Sequence, residues 1–553
     1  MTTPPTGVQA VPDNHGVNLF HADPTLARVA SLYLPGDLLA HLTPSLDRLG
    51  ALAGGRLDTL AAVADRHPPV LHARTRAGAD DQRIEKHPAY AEMEQLAFAE
   101  YGMAAMSHRG GVLGWPAPMP PAAKYVLTYL FVQAEFGLMC PVSMTDSLAR
   151  TLRRFGDPAL VARYLPALTS QDLDHLTQGA MFMTEQGAGS DVAATAVRAT
   201  PQPGGTWALT GDKWFCSNPD AGLAMVLARP DGAAAGLGGV ALFLLPRIRP
   251  DGSANAYRIV RLKDKLGTRS MASGEIRLEG AMAYLVGDPA AGFRQMADMV
   301  NNSRLSNGVR AAGLMRRAMT EALFVARHRV AFGRRLIEMP LMRRQLAKML
   351  VATEQARSMM LQAADALRRA DAGAADAYAL LRVLTPLLKF RACRDARRVT
   401  GDAMEVRGGC GYIEEWPDAR LLRDAHLGSI WEGASNVVAL DVLRADAREG
   451  AFDALRRHVA GLAGAMPEAV PLVDRSIALA RQARGVETTS LARKAASALY
   501  NVTSAAAMAW EAERLDDPGR AALARMVLVH RVLPRDPLAA DPDDAQVRLV
   551  LGA

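Results

Sequence analysis

The chain has 553 residues, too many for one compact core, and divides by size into three or four structural units. Half of it is hydrophobic, which excludes a disordered protein, and with aromatics at only 5% the Ala- and Leu-rich remainder favours helices over sheets. A net charge of +7 permits an acidic partner (a phosphate-bearing ligand, a nucleic acid or a membrane surface) without choosing among them.

In chain order, residues 1–45 are expected to form an N-terminal extension, Pro-rich and polar at first. From 46 to 180 Leu, Ala and Met recur at three- and four-residue spacing, predicting an N-terminal helical domain. Between 181 and 290 short apolar runs, Leu223–Ala228 and Gly239–Leu245 among them, alternate with Gly, Pro and Asp clusters, as in a small β unit. Helical periodicity returns over 291–449, with helices expected near 296–330, 342–371, 375–406 and 436–449. Residues 450–553 read as further helix with a Pro/Asp-rich tail at 534–545. The fold class is therefore mostly α with a central small all-β unit.

Four well-separated cysteines (Cys140, Cys216, Cys393, Cys410) give no disulfide framework and no zinc site. No basic-then-apolar leader is visible, and the run Val240–Leu245 is too short to span a bilayer, so no membrane partner and a cytoplasmic location are expected. There is no GxGxxG after a strand, no GxxxxGK[ST], no HExxH and no GxSxG, which argues against Rossmann, P-loop, zincin and α/β-hydrolase chemistry.

Five segments carry chemistry. In Met183-Thr-Glu-Gln-Gly-Ala-Gly-Ser-Asp-Val192 small residues let a flat ligand approach backbone, with Thr184 and Ser190 as hydrogen-bonding groups; alone it reads equally as a Gly-rich turn. Gly211-Asp-Lys-Trp-Phe-Cys-Ser-Asn218 sets a Trp beside small polar residues, or is a hairpin with a core tryptophan. In Arg329-Val-Ala-Phe-Gly333, Arg329 could grip a phosphate, or end a helix with a basic turn and a Gly cap. Gly408, Gly409 and Gly411 of Glu405–Tyr412 stop a helix and admit a pyrophosphate. Ser429-Ile-Trp-Glu-Gly-Ala-Ser-Asn436 places Glu432 before an apolar helix, where by itself it is a capping acid.

In this order, across a helix–strand–helix pattern, these segments resemble the acyl-CoA dehydrogenase family over about residues 85–445. The resemblance is closest to the AidB-like branch of alkylation-response proteins, through Lys263–Ser270 (KDKLGTRS), the Ser-Ile-Trp-Glu-Gly segment and the extra helical region at 450–553. It implies an acyl-CoA dehydrogenase-like fold: helical domain, β-barrel, four-helix bundle (291–449) and an extra C-terminal helical domain, assembled as a homotetramer, a dimer of dimers. It implies FAD as cofactor and an acyl-CoA or related thioester as substrate.

Residue by residue, the resemblance places Glu432 as the catalytic base and Arg304 beside it. Met183, Thr184, Gly189 and Ser190 would contact the flavin, with Gln186 in place of the usual Pro. Trp214 would cover it, with Ser217 or Cys216 as the polar contact, Ser217 being the better donor. Arg329, Phe332 and Gln345 would hold the ADP half of a neighbouring subunit's FAD, as would Gly408, Gly409 and Gly411. Trp431 stands for the usual Tyr, Asn436 for Gln, and Ala434 lacks the usual Thr hydroxyl.

The AidB-like branch also implies a second function, binding of double-stranded DNA. Residues 445–553 hold 14 basic and 14 acidic residues, so the extra domain is neutral, whereas residues 301–350 hold 11 basic and 2 acidic ones. Arg444, Arg481 and Arg484 are the residues expected to contact DNA, Arg444 by match to the branch and the other two by local density of charge.

Overall fold

The computed structural model describes residues 10–536, 538 and 544–552; the first nine residues of the expected extension and half of the Pro/Asp-rich tail lie outside them. The N-terminal part comprises α1 (Thr25–Ala30), α2 (Gly36–Gly54), α3 (Arg56–Arg66), a hairpin β1 (Val70–Arg74) and β2 (Asp80–Glu85), then α4 (Pro88–Glu94), α5 (Pro121–Phe131), α6 (Met139–Phe155) and α7 (Pro158–Leu168).

The boundary expected at residue 45 falls inside α2. Leu26, Val29, Leu38 and Leu42 are buried in the main core, so residues 19–45 are integral and not an appendage. What holds them is charge as well as apolar area. Asp23 is buried, accepts from Arg357 Nη1 at 2.8 Å and from Tyr129 at 3.0 Å, and lies 3.2 Å from Arg316. Burial opposes its ionisation, but the two guanidiniums overrule it and hold the carboxyl at about 2. The hairpin is the one departure from helix in this part. It leans on the barrel, where Gln82 Oε1 accepts from the backbone N–H of Ile259 at 2.7 Å.

Seven strands follow: β3 (Gly179–Phe182), β4 (Arg198–Pro201), β5 (Trp207–Ser217), β6 (Leu223–Pro230), β7 (Ala241–Pro246), β8 (Tyr257–Leu262) and β9 (Ser273–Leu285). The ring β6–β4–β5–β9–β7 closes on itself through β7 against β6, with β3 added on β6 and β8 on β9. The unbroken apolar runs in β6 and β7 follow from their position between two cores. Leu223, Met225 and Leu227 point into the main helical core, while Ala224, Val226 and Ala228 point into the barrel. Successive side chains of a strand face opposite ways, so a strand wet on neither face shows no alternation.

Helix α8 (Gly292–His328), hairpin strands β10 (Val330–Ala331) and β11 (Arg334–Arg335), α9 (Pro340–Asp371), α10 (Ala377–Arg407), α11 (Pro417–Gly428) and α12 (Ser435–Glu449) come next. Helices α8, α9, α10 and α12 pack together as the bundle. The helices α13 (Ala451–Leu462), α14 (Ala469–Gln482), α15 (Ala492–Leu515), α16 (Pro518–Arg531) and α17 (Asp544–Leu551) form the extra domain. Buried polar links tie it to α9: Gln355 Nε2 donates to Ser504 Oγ at 2.7 Å, and Arg520 Nη1 to Glu354 Oε2 at 2.7 Å. Among the described residues no helix is long and apolar enough to cross a membrane.

Candidate active site

Between α11 and α12 the chain makes a tight turn in which Glu432 has φ 58° and Gly433 φ 101°. A glutamate in the left-handed region is strained, and such strain persists only where the surroundings over-determine it. Two cations supply the restraint. Arg304 Nε donates to the Glu432 carbonyl at 2.8 Å, and the buried Lys389 Nζ donates to the Gly433 carbonyl. Arg304 is itself fixed by Asp441 on α12 at 2.6 Å. Both carbonyls of the turn are thereby clamped to the bundle.

The Glu432 side chain turns inward. Its Oε1 accepts from Ser303 Oγ on α8, while its Oε2 is buried with no hydrogen-bond partner among the described residues. Burial pushes this carboxyl above the ordinary glutamate range, against the pull of the Ser303 hydroxyl and of Arg310, Arg304 and Lys389. Burial likewise brings Lys389 down to about 8. Trp431 stacks on Phe136 with ring centroids 5.8 Å apart and planes at 19°, and its indole Nε1 is also buried with no hydrogen-bond partner among the described residues.

The barrel supplies the opposite wall. The backbone N–H of Trp214 donates to the Thr184 carbonyl at 2.8 Å, so two of the segments singled out in the sequence touch directly. Beneath them Lys213 and Glu185 form a buried ion pair at 2.7 Å, and Lys213 also donates to the Met183 carbonyl at 3.2 Å. Gly189 and Ser190 are exposed on this loop, and nothing lies within 4 Å of where a Gly189 side chain would project. On β5, Cys216 is fully buried in the barrel core, which leaves Ser217 facing out, where it approaches the Cys140 thiol of α6. Trp214 lies under Lys263 Nζ, 3.5 Å from its ring centroid. The Lys263–Ser270 stretch is pinned by Ser270 Oγ donating to the buried Glu135 at 2.8 Å and by the Thr268 N–H donating to Asp424 at 2.6 Å.

The other residues singled out in the sequence do not join this cluster. Arg329 Nη1 donates to the Arg407 carbonyl at 3.0 Å, and the RxxFG and GGxG segments are neighbours. Phe332 and Gly333, with φ 54° and 75°, make the two-residue turn of the β10–β11 hairpin, and Phe332 is 96% exposed. Gln345 leans on Asp402 and Glu405 of α10. Gly408 (φ 76°) ends α10, Gly409 has open space around it, and a side chain at Gly411 would strike the Met404 carbonyl at 2.5 Å. From Ser303 to Arg329 is 26 residues of α8, about 39 Å at 1.5 Å per residue. Asn436 is exposed on the first turn of α12, and Arg444 is exposed farther along it. Arg481 pairs with Asp453 at 2.9 Å, and Arg484 pairs with Asp446.

Sequence reasoning passed over Ser303, Asn307, Arg310 and Lys389. Ser303, Asn307 and Arg310 are spaced i, i+4, i+7 and share the face of α8 that meets the 428–433 turn. Asn307 Nδ2 donates to the Gly428 carbonyl at 3.1 Å, and the Arg310 guanidinium lies 4.6 Å from the Trp431 ring centroid. The signal was a polar stripe on a helix with no polar face to spare, since α8 is buried almost all round.

Three family models match the chain: Adaptive response protein AidB N-terminal domain over residues 9–175, Acyl-CoA dehydrogenase middle domain over 180–281, and Acyl-CoA dehydrogenase C-terminal domain over 290–446. The putative acyl-CoA dehydrogenase AidB of Escherichia coli K12 is 34% identical over 466 residues, 81% of each chain. Acyl-CoA dehydrogenase family member 11 of Caenorhabditis elegans is 33% identical over 437 residues, 77% of this chain and 70% of that protein. The crystal structure of C. elegans ACDH-11 in complex with C11-CoA superposes with a TM-score of 0.88 at 28% identity, covering 97% and 95% of the two chains. The apo form of Bd2924 gives 0.84 at 32% identity, covering 91% and 100%. The chain belongs to the acyl-CoA dehydrogenase family, whose members are FAD-dependent oxidoreductases.

Proposed function

We propose that this oxidoreductase dehydrogenates an acyl-CoA thioester between its α and β carbons, with Glu432 as the base that removes the α-proton. The observation that carries the reading is the Glu432 carboxylate: buried, raised in pKa, steadied at Oε1 by Ser303, and open at Oε2. A thioester's α-hydrogen is weakly acidic. A base that takes it at neutral pH needs a pKa brought toward the working pH and a lone pair committed to nothing else. Arg304 and Lys389 fix the backbone so that this lone pair holds its direction.

The residues present fit a flavin beside that base. The barrel edge offers open glycine backbone, the Thr184 and Ser217 hydroxyls and the Trp214 ring, while Trp431 presents an unpaired indole N–H. When bound, FAD supplies the acceptor for the hydride that leaves the β-carbon. Arg329, Phe332, Gln345, Gly408, Gly409 and Gly411 stand about 39 Å along α8 from Ser303, farther than one FAD extends. They serve instead the ADP half of a second subunit's cofactor. Exposure of Phe332 (96%), Leu341 (84%) and Tyr412 (80%) at that end supports a partner covering it, and a dimer of dimers is the assembly proposed.

A DNA-contact reading draws less support. All three arginines are exposed, but Arg481 and Arg484 are paired with acids of α12 and α13, which leaves Arg444 as the one with no ion pair among the described residues. The test of the enzymatic reading is Glu432→Gln: the purified variant is expected to keep its yellow flavin and to lose anaerobic bleaching by any acyl-CoA that bleaches the wild type. Bleaching at the wild-type rate would remove Glu432 from its role.

A further inference from the structure

Arg310 lies two turns from Ser303 on the same face of α8 and is fully buried. Its Nε, Nη1 and Nη2 all lack a hydrogen-bond partner among the described residues. The guanidinium sits beside the stacked pair of rings, 5.3 Å from the Phe136 centroid and 4.6 Å from that of Trp431. An arginine carries a rigid fork of N–H donors and stays charged, and a buried charge without a counter-group is among the most costly features a fold can hold. The other cations near the base are accounted for: Arg304 is neutralised by Asp441, and Lys389 is bonded to the Gly433 carbonyl. Glu432 feels the Arg310 charge but does not accept from it: no hydrogen bond or ion pair among the described residues joins the two, and Glu432 Oε1 is engaged by Ser303.

The missing acceptor therefore comes with a ligand. The phosphates of CoA must lie toward solvent at the mouth of the site, whereas Arg310 is at zero exposure beside Trp431. Only the acyl end of a thioester reaches that depth. Resting on the dehydrogenase reading above, we propose that Arg310 is a specificity-determining residue that receives a carboxylate at the far end of a short acyl chain, so that the preferred substrates are monothioesters of dicarboxylic acids. The geometry suits such a ligand, because the guanidinium packs beside the stacked Phe136 and Trp431 rings and its N–H fork has no partner among the described residues, which leaves it for a two-point contact with a carboxylate. A site built around an unmet polar group rejects analogues lacking the partner far more strongly than an apolar pocket rejects a change of length.

The experiment is calorimetric titration of the flavin-loaded protein with succinyl-, glutaryl- and adipoyl-CoA against butyryl-, valeryl- and hexanoyl-CoA, with CoA alone as reference and flavin bleaching recorded in parallel. At least one carboxylated thioester is expected to bind roughly 10- to 100-fold tighter than the unsubstituted chain of similar length. Arg310→Met is expected to erase the difference and Arg310→Lys to keep part of it. Unsubstituted chains that bind as tightly as the carboxylated ones, and bleach the flavin, would overturn this proposal alone and leave the dehydrogenase reading standing. Discrimination that survives in Arg310→Met would overturn the assignment to Arg310. Failure of every thioester to bind more tightly than CoA would overturn both readings, and the wild-type titrations decide this point and the preference for a carboxylate even where a variant does not fold.

Discussion

Ser303→Ala isolates how the base is tuned. The Ser303 hydroxyl donates to Glu432 Oε1, and the carboxyl is buried, so bulk water does not replace the lost donor. A hydrogen bond to a charged group contributes about 1.5–3 kcal/mol, and about 1.4 kcal/mol corresponds to one pKa unit. Loss of the hydroxyl penalises the carboxylate and not the neutral acid, so the Glu432 pKa rises further, by roughly one to two units. The rate of anaerobic flavin bleaching, followed by stopped flow across pH with one saturating acyl-CoA, rises as the base loses its proton. In Ser303→Ala that rising limb moves toward alkaline pH by the same one to two units, with the alkaline plateau little changed. Ser303→Thr keeps a hydroxyl and restores the wild-type limb. A limb in Ser303→Ala that superposes on the wild type, in a protein where Glu432→Gln has lost bleaching, would refute the tuning role and leave Ser303 as packing.

The same carboxyl makes stability depend on pH. Its folded pKa lies above the ordinary value of 4.5, so folding is most favoured below that value and loses free energy as pH rises through the folded pKa. Glu432→Gln removes the loss. Its advantage in thermal stability over the wild type is expected to grow as pH rises from about 4.5 to the folded pKa, by about 1.4 kcal/mol for each pH unit between the two pKa values; an advantage that stays constant as pH rises above 4.5 in melts followed by circular dichroism would refute the burial argument. Asp23→Ala leaves Arg316 and Arg357 buried with one carboxylate fewer between them. A cost of roughly 3–5 kcal/mol in urea unfolding is expected, and a loss below about 1 kcal/mol would show that residues 19–45 are held by apolar contact alone.

The order of helices, barrel and bundle was legible because periodicity is local: α8, α9, α10 and α12 lie within a few residues of the ranges expected from spacing. The N-terminal boundary was not, because an appendage and an integral segment differ in what they touch. The short apolar stretch after the Pro-rich start does not say what it packs against, and the ion pair of Asp23 with Arg357 joins residues more than three hundred positions apart. The hairpin β1–β2 was missed for a related reason: its strands are short, charged and mostly exposed, so they lack an alternating apolar face and depend on the barrel beside them.

The candidate site divides in the same way. Glu432, Thr184, Trp214 and the glycines stand in short segments whose order carries information, so they could be picked out in one dimension. Cys216 against Ser217 could not be settled there, because a bulge in β5 breaks simple alternation and only the barrel core shows that Cys216 faces inward. Arg310 was invisible for a deeper reason. Within residues 301–350 it is one of eleven basic residues and looks like surface charge or a phosphate ligand. Its meaning arises from subtraction: Arg304, Arg316 and Arg317 on the same helix each meet a carboxylate, and Arg310 meets two aromatic rings and no acceptor among the described residues. Sequence records that a cation is present, whereas only the packed structure records that its N–H fork has no acceptor among the described residues, and an unmet fork next to a poised base is what points to the chemistry of the ligand.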